Sequence, residues 1–177
     1  IRVDQEGTDS DEYIELVGDA AEVSDLTLLI IGDSGSNLGV VEQAIQLSGE
    51  SFDGPFLIAE STLSLATPDL SAVLNLENSD NLTFLLVTGY EQQNVDLDTD
   101  DDCVLDHVDW QYVIDGVAIV GPGDGDCVYS DVIVGPAGSA LDGQDTPWHV
   151  GRCPDSEGDF VVMSDEVSAA DTPGAAN

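Results

Sequence analysis

The apolar residues of this chain fall into short runs, rich in Val, Ile and Leu, that are separated by Gly, Asp, Pro and Ser. Such runs are typical of β-strands joined by turns. The pattern predicts strands at residues 1–3, 12–17, 26–31, 40–47, 56–60, 82–88, 110–120, 128–134 and 160–163. A helix at 61–65 or 70–76 is a weaker alternative, because Thr67 and Pro68 interrupt that region. Many short strands at regular spacing indicate an all-β sandwich or barrel.

Two of these runs, 26–31 and 82–87, are almost continuously apolar. Strands of that composition are typical of a sheet centre that is covered on both faces. No apolar run is long enough to span a bilayer as a helix, so membrane insertion is not expected. We find no internal repeat and no clear linker, and interpret residues 1–177 as a single domain. Residues 165–177 are small and polar, which suits a last edge strand with a tail or the start of a linker.

The composition is that of a folded protein. The 177 residues are 42% hydrophobic, which excludes a disordered chain, and they suffice for one domain with a sizeable core. The sequence opens on Ile1 rather than Met and shows no signal peptide. We therefore expect a processed product, an excised domain or part of a longer chain.

The charge of the chain is extreme. There are 37 acidic residues against two basic ones, Arg2 and Arg152, and the formal net charge is −35. Because self-repulsion on this scale opposes compaction, we expect high salt, bound divalent cations or both to offset it. The charge also excludes nucleic acid as a partner, since phosphates would be repelled and no basic patch exists.

The three cysteines leave one over after any single disulfide, and their spacing does not define the pairing. An extracellular setting fits both the acidity and the presence of a disulfide.

Residues 96–109 carry the densest run of oxygen ligands in the sequence. If Asp98 is position 1 of a calcium loop, acidic residues also stand at positions 3, 5, 9 and 12, and position 7 needs only a backbone carbonyl. The predicted ligands are therefore the side chains of Asp98, Asp100, Asp102, Asp106 and Asp109, with the carbonyl of Val104. Calcium is the expected cofactor, because hard cations take about six to eight oxygen ligands. The alternative is a solvated acidic turn.

Two positions of this loop depart from the usual pattern. Cys103 stands at position 6, where Gly usually forms the sharp turn, and Asp109 is shorter than the bidentate Glu that is usual at position 12. Leu105, at position 8, is expected to anchor the loop to a core.

The remaining polar motifs are weaker. Residues 121–126 are rich in Gly but lack Lys, so they are not a phosphate-binding loop. They are interpreted as a turn, with Asp124 and Asp126 as candidates for a second, weaker cation site. His107 beside Asp106, or His149 with Asp145, could supply a general base, but no Gly-x-Ser-x-Gly motif accompanies them. We therefore expect no enzymatic activity.

Several segments, taken in order, resemble the lamin tail domain family in its bacterial, secreted form. The opening 1–16 resembles that domain's first hairpin, 26–32 its next strand, and 75–87 a central strand with its approach. The acidic loop 98–106, followed by Trp110 and 113–118, is similar to a loop and strand of these domains. The end of the chain resembles the family's closing motif, Asp171-Thr172-Pro173-Gly174-Ala175-Ala176-Asn177.

The resemblance implies an immunoglobulin-like β-sandwich that serves as a non-catalytic module of secreted nucleases, phosphatases or cell-surface proteins. The chain departs from the family in three ways. It starts a few residues inside the first strand, Cys103 replaces a Gly, and Cys127 replaces an apolar residue. Two cysteines at unusual positions on either side of one strand are expected to pair with each other, which leaves Cys153 free or intermolecular.

The functional expectation is a calcium-stabilised structural or adhesive module, extracellular or on a cell surface. It would contact other copies of itself, matrix or surface components, or a fused enzyme. We expect self-assembly on the surface or into filaments, with residues 1–12 at the contact, beside a sheet edge that residues missing before Ile1 would leave unpaired. The alternative is a carbohydrate- or matrix-binding module appended to a secreted hydrolase such as a nuclease or phosphatase, with Trp110 and Trp148 as sugar-stacking platforms.

Overall fold

The structure is a computed structural model. It describes residues 1–177 except 6–7, 9, 24, 35, 78–79, 122–126, 136–145, 155–156, 164–171 and 176–177, and the side chains of 19–23 and 34 also lie outside the description. The described residues contain strands, turns and bends but no helix, so no membrane-spanning helix is found among them. The prediction of an all-β sandwich is confirmed, and the weaker alternative of a helix at 61–65 or 70–76 is not observed.

Ten strands are present among the described residues. They are β1 (Tyr13–Val23), β2 (Leu26–Ser34), β3 (Asn37–Gln46), β4 (Glu50–Ala59), β5 (Leu70–Ser71), β6 (Leu82–Thr88), β7 (Tyr112–Ile119), β8 (Ile133–Val134), β9 (Val150–Cys153) and β10 (Asp159–Val162).

Most strand predictions locate a strand but differ in its ends. The bounds of β6 are as predicted, whereas β1 and β4 extend beyond them because the two strands pair with each other from Tyr13–Ala59 to Val23–Glu50. The strands β5 and β9 were not predicted. The strand β9 contains Gly151 and Arg152, and its conformation depends on its antiparallel pairing with β10.

The strands form two layers. One is a five-stranded sheet in the order β3-β2-β6-β7-β8. The other consists of a β1-β4-β5 sheet and a β10-β9 pair, which are joined by residues 1–3. Arg2 forms an antiparallel bridge to Tyr13, at the start of β1, and another to His149, just before β9.

Residues 1–3 therefore lie inside a layer. The amide of Arg2 donates to the carbonyl of Tyr13 at 2.8 Å on one side, and the amide of Val3 donates to the carbonyl of Trp148 at 2.8 Å on the other. Val3 is fully buried in the core between the layers. Residues 1–3 are therefore not an unpaired edge themselves, since both of their flanks are hydrogen-bonded.

The two central strands of the five-stranded sheet are buried on both faces. In β2, Leu28 and Ile30 belong to the core between the layers, whereas Leu29 and Ile31 belong to a second core on the outer face of this sheet. The strand β6 alternates in the same way, because side chains of successive strand residues point to opposite faces. This arrangement confirms the two-sided burial predicted from the continuous apolar runs.

Candidate metal centre

The segment that carries the acidic loop covers the outer core of the five-stranded sheet. It is attached to β3 by two backbone bonds, from Val41 N to Val95 O at 2.7 Å and from Leu97 N to Gly39 O at 3.0 Å. Leu97 is fully buried in the outer core, and Leu105 packs against the same cluster. The expectation that Leu105 anchors the loop to a core is confirmed. Asp98 follows Leu97 directly in the chain and is buried as well.

Asp98 is buried, with 0% of its surface exposed, and three donors satisfy its carboxylate. Its Oδ1 accepts the amide of Asp102 at 3.2 Å, and its Oδ2 accepts the amide of Cys103 at 2.9 Å and the hydroxyl of Tyr129 at 2.7 Å. The charge-assisted bonds wrap residues 98–103 around this one carboxylate. Burial, followed by the hydrogen bond to Asp98, raises the pKa of Tyr129, which keeps its hydroxyl a donor.

Three of the predicted ligands converge. Carboxylate oxygens of Asp98, Asp100 and Asp102 all lie within 4.8 Å of one another. Asp98 is buried, whereas Asp100 and Asp102 are exposed, so the group opens to solvent on one side. The negative charge of Asp102, more than any other cause, raises the pKa of Asp100. Three like charges at this separation repel one another, and a hard divalent cation would relieve that repulsion.

The structure does not bring Asp106 and Asp109 into this group of three. One oxygen of Asp106 accepts both the hydroxyl and the amide of Thr99, at 2.9 Å for the amide, and the hydroxyl bond chiefly lowers the pKa of Asp106. Asp109 accepts the amides of Gln93 and Asn94, at 2.8 Å and 2.5 Å. Both carboxylates therefore hold the backbone of the covering segment.

The other predicted ligands are Val104 of the loop and the pair of the second site. Val104 is exposed, and its amide donates to Asp102 Oδ1 at 3.0 Å. The weaker second site, Asp124 with Asp126, lies outside the described residues.

The turn at Cys103 has the backbone conformation expected of Gly at position 6. Its φ is +67°, in the left-handed region that residues other than Gly seldom adopt. A disulfide joins Cys103 to Cys127, with 5.1 Å between the Cα atoms, and Cys153 is an exposed free thiol. The disulfide attaches the loop to the segment that also carries Tyr129, so loop and segment are held together at two points.

Gly39 allows the close approach of this site to β3. Its φ is +69°, and a Cβ added there would lie 2.7 Å from the Cβ of Asp98 and 2.9 Å from the hydroxyl of Tyr129. A glycine is thus required both by backbone conformation and by space. No pattern in the loop itself indicated this residue, because Gly39 lies far from the loop in sequence.

Sequence reasoning missed a second group of carboxylates. Asp33, Glu77 and Asp80, all partly buried, also have oxygens within 4.8 Å of one another. Burial, reinforced by the charge of Glu77, raises the pKa of the nearby Glu42 to about 7. A hydrogen bond with Asp80, followed by burial, raises the pKa of Glu77 to about 7. Asp33 lies in β2, whereas the other two lie in the segment between β5 and β6, so only the folded chain completes the group.

The residues considered for catalysis or sugar binding have structural contacts. The Tyr13 hydroxyl and His149 Nε2 are 3.2 Å apart, and the two rings pack edge to face. Trp110 packs against the outer core, and the carbonyl of Trp148 accepts the amide of Val3. Asp145 lies outside the described residues.

Comparison of the chain with protein-family models, with curated proteins and with solved structures gives no match.

Proposed function

We propose that this protein is a non-catalytic, calcium-stabilised structural or adhesive module that works outside the cell or on its surface. One observation carries the proposal: Asp98, although fully buried, belongs to a group of three carboxylates within 4.8 Å in a chain of net charge −35. Like charges held close together repel and raise the free energy of the folded state, and a bound cation offsets that repulsion.

The chemistry of the group suits calcium. Calcium takes about six to eight oxygen ligands in flexible geometry, and the exposed Asp100 and Asp102 leave room for water and backbone carbonyls beside the carboxylates. Residues 98–106 present oxygen ligands, since the sulfur of Cys103 is bonded to Cys127. Calcium would hold the loop closed over the outer core, so its role would be structural.

The disulfide supports the proposed extracellular setting, because disulfides persist in oxidising environments. An immunoglobulin-like sandwich of the lamin tail type is the subtype we propose within the all-β fold, on the resemblance of the ordered segments described above. Partners would then be other copies of the chain or extracellular surface components.

The test of calcium binding is thermal unfolding with calcium and with excess chelator at fixed ionic strength. A ligand that binds only the native state stabilises it by about 2.7 kcal/mol at a concentration 100 times its Kd. The double variant Asp100→Asn with Asp102→Asn changes only exposed side chains and should abolish the calcium response. The matched control is Asp53→Asn, an exposed acid of β4 in the other layer, which should keep the response. Equal melting temperatures of the unmodified protein with calcium and with chelator would refute the proposal.

Self-association is tested separately by light scattering during a calcium titration. Chains of this charge should remain monomeric in low salt, because charges on facing molecules repel over a Debye length of about 10 Å at 0.1 M. Calcium would bridge carboxylates of neighbouring molecules and allow assembly. A monomer up to millimolar calcium would exclude the self-assembling form and leave a module that acts singly.

A further inference from the structure

Two segments cover the outer core of the five-stranded sheet, one before β7 in the chain and one after it. The first is the covering segment, residues 89–111, which joins β6 to β7 and places Leu97 fully inside this core. The second is residues 127–130, in which Tyr129 packs against the same core and donates its amide to Thr83 Oγ1 of β6 at 3.1 Å. The buried sheet residues of this core are Leu29, Ile31, Leu85 and Val87.

The covering segment is closed at its base. The amide of Glu91 donates to the carbonyl of Asp109 at 2.9 Å, and the amide of Gln111 donates to the carbonyl of Thr88 at 2.8 Å. These bonds hold the two ends of the segment together next to the paired strands β6 and β7. The segment can therefore open as one unit without separating those strands, which is the usual form of local unfolding.

The far part of the covering segment is held on two sides. On the side of β3, the amide of Leu38 donates to Asp101 Oδ1 at 2.7 Å, beside the two backbone bonds to β3 described above. On the other side, the Cys103–Cys127 disulfide and the hydrogen bond from Tyr129 join it to residues 127–130. The disulfide is the covalent link between the two segments that cover the core.

The covering segment also holds backbone strain. In the described part of the chain, three residues other than Gly have a positive φ, and all of them lie in this segment: Gln92 at +48°, Asp101 at +55° and Cys103 at +67°. Residues with a side chain disfavour this conformation, so it persists only where the surrounding contacts impose it. Cleavage of the disulfide removes one such contact at Cys103, and relaxation of the turn then favours opening.

The two bonded cysteines differ in their access to solvent. Cys103 is exposed, whereas Cys127 is 7% exposed. An attacking thiolate should therefore form a bond to the sulfur of Cys103 and displace Cys127 as a thiolate, which takes up a proton. The second thiol of a dithiol then attacks this mixed disulfide. The dithiol is oxidised to its own disulfide, and both cysteines become thiols.

We infer that the Cys103–Cys127 disulfide is a redox-sensitive switch: its reduction by a dithiol opens the covering segment and exposes the outer core, while the rest of the sandwich stays folded. The core between the layers is the larger of the two among the described residues, and other side chains of β2 and β6 form it. It should therefore survive the opening. The inference adds a regulated apolar surface to the role proposed above, and it does not depend on calcium.

Charge determines which reductants reach the bond. Asp100, Asp101 and Asp102 precede Cys103 directly, and all three are exposed. Their field repels an anionic thiol more strongly than a neutral or cationic one. Salt should weaken this selection, because charges in water are screened beyond a Debye length of about 10 Å at 0.1 M. The reductant is therefore an uncharged or cationic dithiol.

The test of opening is amide hydrogen exchange of the full chain with and without dithiothreitol, in chelator. The chain carries Cys153→Ser, which removes the exposed free thiol. Reduction should accelerate exchange by about tenfold or more at the amides of Leu97 and Val41, which join the covering segment to β3. Exchange in the β1–β4 pairing of the other layer should stay unchanged. Because chelator is present, this result stands apart from the calcium experiment.

Three monothiols of similar size test the attack itself. They are cysteamine, which is cationic, 2-mercaptoethanol, which is neutral, and 2-mercaptoethanesulfonate, which is anionic. The rates per thiolate should fall in that order at low salt and converge at 1 M salt, where the Debye length is about 3 Å. Peptide mapping after an acid quench should find the first mixed disulfide on Cys103.

Two double variants separate loss of the bond from release of strain. Cys103→Ala with Cys127→Ala removes the bond but keeps a side chain at the position of positive φ, whereas Cys103→Gly with Cys127→Ala removes both. Without reductant, both variants should exchange faster than the oxidised chain at Leu97, and the glycine variant should show the smaller increase. If the alanine variant fails to fold, the glycine variant and the reduced chain decide.

Three results would overturn the inference. The first is unchanged exchange at Leu97 and Val41 after complete reduction. The second is equal acceleration at these amides and in the β1–β4 pairing, which would mean that the whole sandwich unfolds. The third is a first mixed disulfide on Cys127.

Discussion

The hydroxyl of Tyr129 donates a 2.7 Å hydrogen bond to the buried carboxylate of Asp98, 31 residues away in the sequence. This contact joins the acidic loop to the segment that follows β7. Because Asp98 is buried, each of its donors offsets part of the cost of removing a charge from water.

Replacing Tyr129 with Phe removes one of the three donors to Asp98 and should lower the free energy of unfolding by about 1–3 kcal/mol. Urea denaturation measures the change. The control is Tyr112→Phe, since Tyr112 is 70% exposed and should tolerate the loss of its hydroxyl. A Tyr129→Phe variant as stable as the control would show that Asp98 does not need this donor.

Replacing Gly39 with Ala should destabilise the protein through both backbone strain and overlap with Asp98, by about 2–4 kcal/mol. Gly49→Ala isolates the strain, because Gly49 also has a positive φ of +92° but no atom within 4 Å of an added Cβ. The excess loss at Gly39, measured in urea, reports the close approach of Asp98. Equal losses at the two positions would contradict the packing described here.

Reduction of the Cys103–Cys127 bond, or Cys127→Ser, should lower the free energy of unfolding by about 3 kcal/mol, since the bond closes a loop with a sequence separation of 24. Cys153→Ser, at the exposed free thiol, should leave stability unchanged. Peptide mapping without reductant identifies the pairing, and a Cys127–Cys153 bond would show that the loop is held differently.

The carboxylates near Asp33 should make stability depend on pH. The folded-state pKa values of Glu42 and Glu77 are raised from 4.5 to about 7, so the folded protein holds these protons more tightly than the unfolded chain. This stabilisation is complete below about pH 4.5 and is lost as the pH rises towards 7.

Glu42→Gln tests this dependence in buffer without divalent cations. The variant should be more stable than the unmodified protein at pH 8 by roughly 1 kcal/mol, a value reduced to allow for screening by water, and its stability should vary less between pH 5 and 8. Glu50→Gln removes one charge elsewhere and is the control for the change in net charge. A profile for Glu42→Gln parallel to that of the unmodified protein would contradict the prediction.

The features that sequence alone determined are those set by near neighbours along the chain. Short Val- and Ile-rich runs between turn residues predict strands. Continuous apolar runs in β2 and β6 predict burial on two faces, because successive side chains of a strand point to opposite faces. The convergence of Asp98, Asp100 and Asp102 is of the same kind, since alternate residues of one tight turn direct their carboxylates to one centre.

Only the tertiary structure decided which distant segments meet. Asp109 and Asp106 had suitable spacing for a metal ligand, but the path of the chain gives them backbone donors at Gln93, Asn94 and Thr99.

The group of Asp33, Glu77 and Asp80, the burial of Asp98 against Gly39, and the position of residues 1–3 between β1 and β9 likewise depend on contacts between remote segments. Such contacts follow from strand register and layer packing. Many arrangements of the same strands satisfy the local hydrophobic pattern, so that pattern leaves these contacts undetermined.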